Sequence, residues 1–169
     1  MGIHREPCII AMTAAVLGLA ACATSTPIGA SPSSAPSRPV QVAVGTLPGG
    51  SGQYLTDAAG RSLYLFASDT ATRSMCNAAC AIAWPPLPGA ATAGTGVTAT
   101  LTSITRDDGS AQAACHGHPL YYFENDRAPG DIKGEGLNTS GGRWYLLDPA
   151  GNAITSTAPP TGVAPFGGY

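Results

Sequence analysis

The stretch Ser62-Leu-Tyr-Leu-Phe-Ala-Ser-Asp69 decides the fold, because it returns later in the chain as Pro119-Leu-Tyr-Tyr-Phe-Glu-Asn-Asp126. Both copies carry a tyrosine, a phenylalanine and an aspartate at the same spacing: Tyr64, Phe66 and Asp69, then Tyr121, Phe123 and Asp126. Repeated units bury their apolar faces on each other. We therefore expect the two copies to form one β core, with their aromatic strands packed face to face.

Strand patterns surround both copies. Residues 40–45 alternate valine with other side chains, and residues 97–102 alternate apolar side chains with threonine, as strands with one buried face do. Three aromatic-rich runs suit strands covered on both faces. They are Leu63-Tyr-Leu-Phe66, Leu120-Tyr-Tyr-Phe123 and Trp144-Tyr-Leu-Leu147.

Turn signals separate these strands: Asp57-Ala-Ala-Gly60, Asp107-Asp-Gly109 and Asp148-Pro-Ala-Gly151. One short helix is expected over residues 77–84, where two prolines then stop it. The sequence predicts a mainly β domain built from two related halves, with at most one short helix. A small antiparallel sandwich and a partly closed barrel both fit this pattern.

The N-terminus has the features of an export signal. The stretch from Cys8 to Ala21 is almost wholly apolar yet too short to span a bilayer, and it ends in Leu19-Ala-Ala-Cys22. That ending matches the bacterial lipobox, which implies removal of residues 1–21 and lipidation of Cys22 with acyl chains such as palmitate. Several chains together hold a protein on a membrane where one would not. The alternative is an ordinary signal peptide cut nearby.

Composition divides the rest of the chain. Residues 22–39 form a Ser/Pro/Ala linker that begins at the lipidated cysteine and has little to bury, so we expect it to be disordered. The β domain is expected over 40–158 and a flexible tail over 159–169. The expected location is the cell envelope, on the outer face of the plasma membrane or on the outer membrane. A net charge of -2 without a basic run argues against a nucleic-acid partner.

The chain resembles the bacterial lipoproteins described as secreted repeats of unknown function, whose motif is Tyr-x-(Phe/Trp/Tyr)-x-x-Asp. The resemblance covers about residues 53–152. Besides the two motif copies, it rests on Cys76-x-x-x-Cys80, Ala83-Trp-Pro-Pro-Leu87, Gly117-His-Pro-Leu-Tyr-Tyr-Phe123, Pro129-Gly-Asp131 and Gly141-Gly-Arg-Trp-Tyr145. It implies an exported protein without an established activity. Cys115-His116 departs from the pattern of that family.

The cysteines of the exported domain suggest a disulfide, because thiols outside the cytoplasm tend to pair. Cys76 and Cys80 lie four residues apart and are the first candidates, closing a small loop. Cys115 pairing with one of them is the alternative. Either arrangement leaves one thiol unpaired.

A metal site is the competing interpretation of the same region. Its ligands would come from Met75, Cys76, Cys80, Cys115, His116 and His118. Thiolate, thioether and imidazole together suit copper, and cysteine with histidine suits zinc. We expect His116 and His118 to alternate on a strand and therefore to face the same side. Cys115, His116 and His118 are the predicted core of such a site.

The motif aspartates have two interpretations. At a strand end, Asp69 and Asp126 can accept backbone N–H groups and fix a turn. Alternatively, the two could pair across the repeat as general acid and base. The aromatic side chains are expected in the core, with an exposed strip for a glycan or partner as the alternative. The loop 126–136 is rich in oxygen donors and glycine, which leaves a calcium loop as an alternative to a turn-rich connection.

The usual catalytic signatures are missing from the sequence: it has no Gly-x-Ser-x-Gly, no His-Glu-x-x-His and no phosphate loop. We therefore predict a membrane-anchored envelope lipoprotein that is not an enzyme and needs no cofactor. Its domain would be a binding or interaction module. Its partners would be the membrane, through the lipid, and an unknown envelope protein or ligand. The alternative is a copper-handling or redox lipoprotein that uses the cysteines and histidines named above.

Overall fold

The computed structural model describes residues 38–155, which form a mainly β unit. The predicted signal peptide, the lipidation site Cys22, nearly all of the linker and the C-terminal tail lie outside the described residues, so those assignments stay predictions. Within residues 38–155 we find no helix with the length and apolar character needed to cross a bilayer.

Short strands dominate the described chain, as its glycine and proline content favours. The strands are β1 (Val40–Thr46), β2 (Gln53–Asp57), β3 (Tyr64–Phe66), β4 (Ala91–Ala93), β5 (Leu101–Thr105), β6 (Ala111–Cys115), β7 (His118–Pro119), β8 (Asn138–Thr139) and β9 (Gly142–Leu146). One α-helix, α1 (Ala79–Ala83), lies within the predicted helical segment and ends before the two prolines. A single 3-10 turn spans Pro48–Gly50.

The strands form three small sheets, with the orders β2-β1-β4, β3-β9-β8 and β5-β6-β7. Among the described residues no sheet closes into a barrel, and the arrangement is consistent with a sandwich. The mainly β class with one short helix is confirmed. All strand pairs are antiparallel except β1 with β4, which run parallel. The prediction of an antiparallel fold did not include that pair.

Aspartate-to-glycine turns connect the hairpins as predicted. The carboxylate of Asp57 accepts the backbone N–H groups of Ala59 and Arg61, and Gly60 has a φ of 81°. Asp148 binds its own turn in the same way. The turn between β5 and β6 begins one residue earlier than predicted, since the N–H of Gly109 donates to the carbonyl of Arg106.

One predicted strand is displaced. The alternating pattern of residues 97–102 predicts a strand there, but β5 begins only at Leu101. The N–H groups of Thr98 and Ala99 both donate to the carbonyl of Pro149, which leaves them outside any ladder. The alternation of side chains therefore continues through a segment whose backbone is paired with a turn.

The second motif copy does not form a regular strand. The N–H groups of three successive residues donate to three separate segments: Leu120 to Ala113, Tyr121 to Tyr64, and Tyr122 to Pro85. The run is therefore hydrogen-bonded to three neighbouring segments at once. Its strand pairing is limited to isolated bridges at Tyr121. A continuous apolar run predicts burial here correctly, but it does not predict a ladder.

The two motif copies meet at one pair of residues. Tyr64 and Tyr121 exchange both backbone hydrogen bonds, with N–O distances of 2.9 and 3.0 Å. The copies therefore lie side by side, and the expected face-to-face packing is wrong. They do belong to one core, because both tyrosines and both tryptophans fall in the same buried cluster.

Candidate functional site

The motif tyrosines and aspartates are bonded across the repeat. The hydroxyl of Tyr64 donates to Oδ2 of Asp126 at 2.6 Å, and the hydroxyl of Tyr121 donates to Oδ2 of Asp69 at 2.7 Å. Each tyrosine therefore binds the aspartate of the other copy. Both tyrosine side chains are fully buried.

The second oxygen of each motif aspartate fixes the chain that follows it. Oδ1 of Asp69 accepts the N–H of Met75 at 2.6 Å, and Oδ1 of Asp126 accepts the N–H of Lys133 at 2.9 Å. The two carboxylates are thus engaged as acceptors of backbone groups, as one of the two interpretations expected. They bond to tyrosines and not to each other, so the structure provides no acid–base pair between them.

Burial controls the protonation of these groups. Burial raises the pKa of Asp69, while the bonds from Met75 and Tyr121 act against that rise. Burial likewise raises the pKa of Asp126, opposed first by the hydroxyl of Tyr64. Burial also raises the pKa of both phenols, and the adjacent carboxylates raise it further. The tyrosines therefore stay protonated and act as hydrogen-bond donors throughout the neutral range.

Four aromatic rings form a continuous stack through the centre of the unit. The two tryptophans lie parallel, with ring centroids 3.8 Å apart at an interplanar angle of 1°. Phe66 stacks on Trp144 at 4.2 Å, and Phe123 stacks on Trp84 at 4.2 Å. Each motif phenylalanine therefore covers the tryptophan that follows the other copy, in the same crossed pattern as the tyrosines and aspartates.

The motif tyrosines complete the aromatic cluster by their edges. The Tyr64 ring meets Trp84 at 5.5 Å, and the Tyr121 ring meets Trp144 at 5.1 Å, both nearly perpendicular. Such edge-to-face contacts are favourable for aromatic pairs. The tryptophans are buried, so these side chains are core residues and not an exposed binding strip.

A cleft lies at each end of the stack. The histidine cleft encloses 340 Å³ and is lined by Leu65, Phe66, Ala67, His116, His118, Gly151, Asn152 and Ala153. The arginine cleft encloses 220 Å³ and is lined by Arg61, Ser62, Pro85, Tyr122, Phe123, Glu124 and Asp126. The terminal rings Phe66 and Phe123 each line one of them.

The two clefts are built from equivalent positions of the repeat. Aligning the two motif tyrosines places Leu65-Phe-Ala67 on Tyr122-Phe-Glu124, and it places Arg61 on His118. The shared positions line the two clefts in the same order. The two clefts therefore share four equivalent positions, while their other lining residues come from unrelated positions.

Charged groups are paired in the arginine cleft. The guanidinium of Arg61 bonds Oδ2 of Asp57 at 2.8 Å and lies 3.9 Å above the ring centroid of Tyr122. Burial raises the pKa of Asp57, but the bonds from Arg61 and from the Tyr122 hydroxyl outweigh it and hold the pKa below its usual value. Asp57, Arg61 and Tyr122 thus form one bonded group, of which Arg61 and Tyr122 line this cleft.

The histidine cleft is formed by the hairpin between β6 and β7. His116 and Gly117 are its two loop residues, with φ values of 50° and 85°. The expectation that His116 alternates with His118 on a strand is therefore wrong, because His116 lies in the turn. Both histidines nevertheless line the same cleft. A side chain at position 117 would collide with the carbonyl of Ala71, which explains the glycine.

The cysteines divide between a disulfide and a buried thiol. Cys76 and Cys80 are bonded to each other, with a Cα–Cα distance of 5.1 Å. This is the first of the two pairings that the sequence left open. Cys115 is free and buried, and burial raises its pKa to about 11, with the carboxylate of Asp148 adding to the rise.

The structure separates the predicted metal ligands. Cys76 and Cys80 are held in the disulfide, and the Cys115 side chain belongs to the apolar core. His116 and His118 remain as two imidazoles at one cleft. Within residues 38–155, no three side chains of His, Cys, Asp or Glu gather in an arrangement that could hold a metal ion.

The loop 126–136 is organised by backbone donors. Oδ2 of Asp131 accepts the N–H groups of Arg127 and Ala128, and it also pairs with the ammonium of Lys133 at 2.8 Å. Asp126 accepts the N–H of Lys133 in the same loop. These contacts fit a turn-rich connection whose backbone is held by the carboxylates of Asp126 and Asp131.

A buried arginine that no sequence pattern predicts links the disulfide loop to the motif. Arg106 is 7% exposed, and its guanidinium donates to the Ser74 hydroxyl at 2.9 Å and to the Cys76 carbonyl at 2.7 Å. Ser74 also bonds the hydroxyl of Tyr121 at 2.7 Å. Arg106 adjoins an Asp-Asp-Gly turn, a context that predicts only an exposed charge.

Comparison with known proteins gives one match. A family model described as a secreted repeat of unknown function matches residues 45–88 and 102–148. Each matched segment contains one motif copy and the tryptophan that follows it. No curated protein and no solved structure matches the chain.

Proposed function

The chain belongs to the family of secreted repeats of unknown function, and from this premise we propose that it is an exported lipoprotein of the cell envelope whose β domain is a non-catalytic binding module. The proposal depends on the crossed hydrogen bonds, in which each motif tyrosine binds the aspartate of the other copy. The side chains that define the family motif hold the two halves together in the interior.

The anchor rests on the sequence around Cys22. The apolar segment before it and the ending Leu19-Ala-Ala-Cys22 are those of a lipoprotein signal. The composition of residues 23–39, rich in serine, proline and alanine, predicts a linker between the lipid and the β domain.

The bonding of the motif groups supports the proposal of a non-catalytic role. A general acid or base must come within hydrogen-bond reach of a substrate proton. The hydroxyls of Tyr64 and Tyr121 are fully buried, and each is committed to a carboxylate. The motif groups therefore support a structural task, and the two clefts at the ends of the aromatic stack are candidate sites for a ligand.

The anchor is tested with Cys22→Ser in the full-length chain, expressed in a bacterial host that processes lipoproteins. We expect the wild-type chain in the membrane fraction, with a diacylglyceryl adduct on Cys22 by mass spectrometry. The variant should lose both the adduct and the membrane association. Cys115→Ser is the matched control and should behave as the wild type. An unmodified Cys22 in wild-type protein would disprove the anchor.

The binding role is tested by photo-crosslinking in intact cells. A photoreactive residue is placed at Ala67 in the histidine cleft, at Glu124 in the arginine cleft, or at Thr102 on the exposed side of β5 as control. We expect a discrete adduct from at least one cleft position and none from Thr102. Identical adducts at all three positions would count against the module. So would a substrate turnover that Asp69→Asn abolishes while the fold is retained.

A further inference from the structure

We propose that the histidine cleft binds a divalent transition-metal ion, copper(II) in preference to zinc, through the imidazoles of His116 and His118. The inference rests on the proposed binding role and names a ligand class for one of its two clefts. It is independent of the lipid anchor.

The first support is the placement of the histidines. The chain has three, and His4 lies in the predicted signal peptide, so His116 and His118 are the two that the exported part would keep. Both are exposed and both line the same cleft. Within the described part of the chain, neither imidazole makes a hydrogen bond or an ion pair. Their nitrogens are therefore available to a ligand.

The second support is the rigidity of the hairpin that carries them. The N–H of His116 donates to the carbonyl of Thr100 at 2.9 Å, and His118 pairs with Cys115 in the ladder between β6 and β7. The φ values of His116 and Gly117, 50° and 85°, are both positive, as a tight two-residue hairpin turn requires. The two imidazoles are thus displayed from a fixed turn and not from a mobile loop.

The third support comes from the equivalent position in the other half. Arg61 occupies the place of His118, and there the guanidinium, although half exposed, is paired with Asp57 and lies over the ring of Tyr122. In the histidine cleft, the His118 side chain has no hydrogen-bond or ion-pair partner among residues 38–155, although it interacts electrostatically with the carboxylate of Asp69. The repeat therefore offers a direct contrast between a position that completes a structural group and one that leaves its donor atoms open.

The chemistry of the ligands selects the ion. Neutral imidazole binds the later first-row divalent ions, and copper(II) most strongly among them. Cys76 and Cys80 are paired, and Cys115 is only 1% exposed, so thiolates do not contribute. Two imidazoles leave the remaining coordination positions to water or to a small ligand. Such a site would capture and release copper and would not contribute to folding.

The test uses the full-length chain, purified without a histidine tag and titrated with copper(II) chloride in the presence of glycine as a competing ligand. We expect one copper ion per chain and electron paramagnetic resonance spectra with coupling to two imidazole nitrogens. His116→Asn, which suits a positive φ, and His118→Gln should each weaken binding by about tenfold or more. Zinc should bind more weakly than copper.

Three variants serve as controls. Arg61→Gln changes the equivalent position of the other cleft, Cys115→Ser removes the free thiol, and His4→Gln removes the histidine of the signal segment. All three should bind copper as the wild type does. Circular dichroism at each titration temperature confirms that the histidine variants remain folded.

The proposal is overturned if the wild type takes up no copper against glycine, or if the double histidine variant binds as much as the wild type. Labelling the histidines with nitrogen-15 provides a readout without any substitution. If the label leaves the electron paramagnetic resonance spectrum of the copper-loaded protein unchanged, the proposal is also overturned. Crosslinks that form at the clefts in copper-free medium would leave the binding role intact. The two proposals can therefore fail separately.

Discussion

The two halves of the domain share their motif contacts but differ in how they support them. In both halves, the tyrosine binds the opposite aspartate and the phenylalanine covers the opposite tryptophan. Outside these contacts, a disulfide and the guanidinium of Arg106, which comes from the second half, support the segment that follows the first copy. Among the described residues, the segment that follows the second copy has neither a disulfide nor a buried arginine. The comparison teaches that the crossed contacts define the repeat, while the segments around them are free to change.

The second half uses backbone groups where the first uses side chains. The hydroxyl of Tyr64 accepts the N–H of Gly134 at 3.2 Å, in the place where Tyr121 meets Ser74. Gly134 lies so close to the stack that a Cβ would come within 2.8 Å of the Trp84 ring. Only glycine lets the backbone come this close to the Trp84 ring. The N–H of Gly134 therefore contacts the Tyr64 hydroxyl in the position where Ser74, held by Arg106, contacts the Tyr121 hydroxyl.

The largest expected effect tests whether the two halves contribute equally to the stack. Trp84→Ala and Trp144→Ala each remove a central ring that is 1% exposed or less, and each should cost about 3–5 kcal/mol of unfolding free energy. Urea denaturation measures both. Costs that differ by more than a factor of two would mean that the stack is not shared evenly.

The next effect tests the crossed hydrogen bonds. Tyr121→Phe and Tyr64→Phe each leave a carboxylate without its phenol, which should cost about 1.5–3 kcal/mol. Tyr121→Phe should cost more, because Asp69 is the more buried acceptor and Ser74 also loses a partner. Tyr145→Phe, on the same sheet, is the control. If both variants are as stable as the wild type, the crossed hydrogen bonds do not stabilise the fold.

Reduction of the disulfide should affect one half only. Closing so short a loop stabilises the folded state by about 2 kcal/mol, which the Cys76→Ala/Cys80→Ala variant should lose. Hydrogen exchange should speed up around α1 and remain slow around Gly134. If amide protection is lost equally around α1 and around Gly134, the disulfide stabilises both halves and not only the first.

The smallest expected effect is a change in the free energy of unfolding with pH. The folded-state pKa of Asp69 and that of Asp126 are raised above 3.8, so the folded state binds these protons more tightly than the unfolded state does. Stability should therefore decline as pH rises from 3.8 to the raised values and then level off. Asp69→Asn should flatten part of this decline in denaturation measured at successive pH values.

Asp57 provides the control for that slope. Its folded-state pKa is lowered below 3.8, so its contribution to stability is present above 3.8 and is lost as pH falls through the lowered value. Asp57→Asn should change the profile below 3.8 and leave the decline above it unchanged. A decline that disappears in Asp57→Asn would mean that the carboxylates are wrongly assigned.

Local patterns predicted the parts of the fold that local forces decide. The turn at Asp57 to Gly60 follows from an aspartate that binds its own backbone and a glycine that accepts positive φ, and both signals lie within four residues. The strand at residues 97–102 was misplaced because Pro149, distant in sequence, captures the N–H groups of Thr98 and Ala99. No local pattern reports such a competitor.

The sequence predicts which residues belong to the motif but not which of them form hydrogen bonds with each other. The repeat identified the six motif residues and indicated one core, yet nothing in either copy shows that Tyr64 would bind Asp126 and not Asp69. That choice depends on the two copies meeting side by side at Tyr64 and Tyr121. Arg106 was missed for a related reason, since its partners Ser74 and Cys76 come from the other half of the chain.

The crossed contacts have the form of an isologous dimer interface contained in one chain. In such an interface each partner donates what the other accepts, as symmetric homodimers do. A polypeptide with a single copy would have a phenol without its acid, an acid without its phenol and an uncovered tryptophan, so it should be stable only as a pair. Joining two copies covalently makes that association independent of concentration.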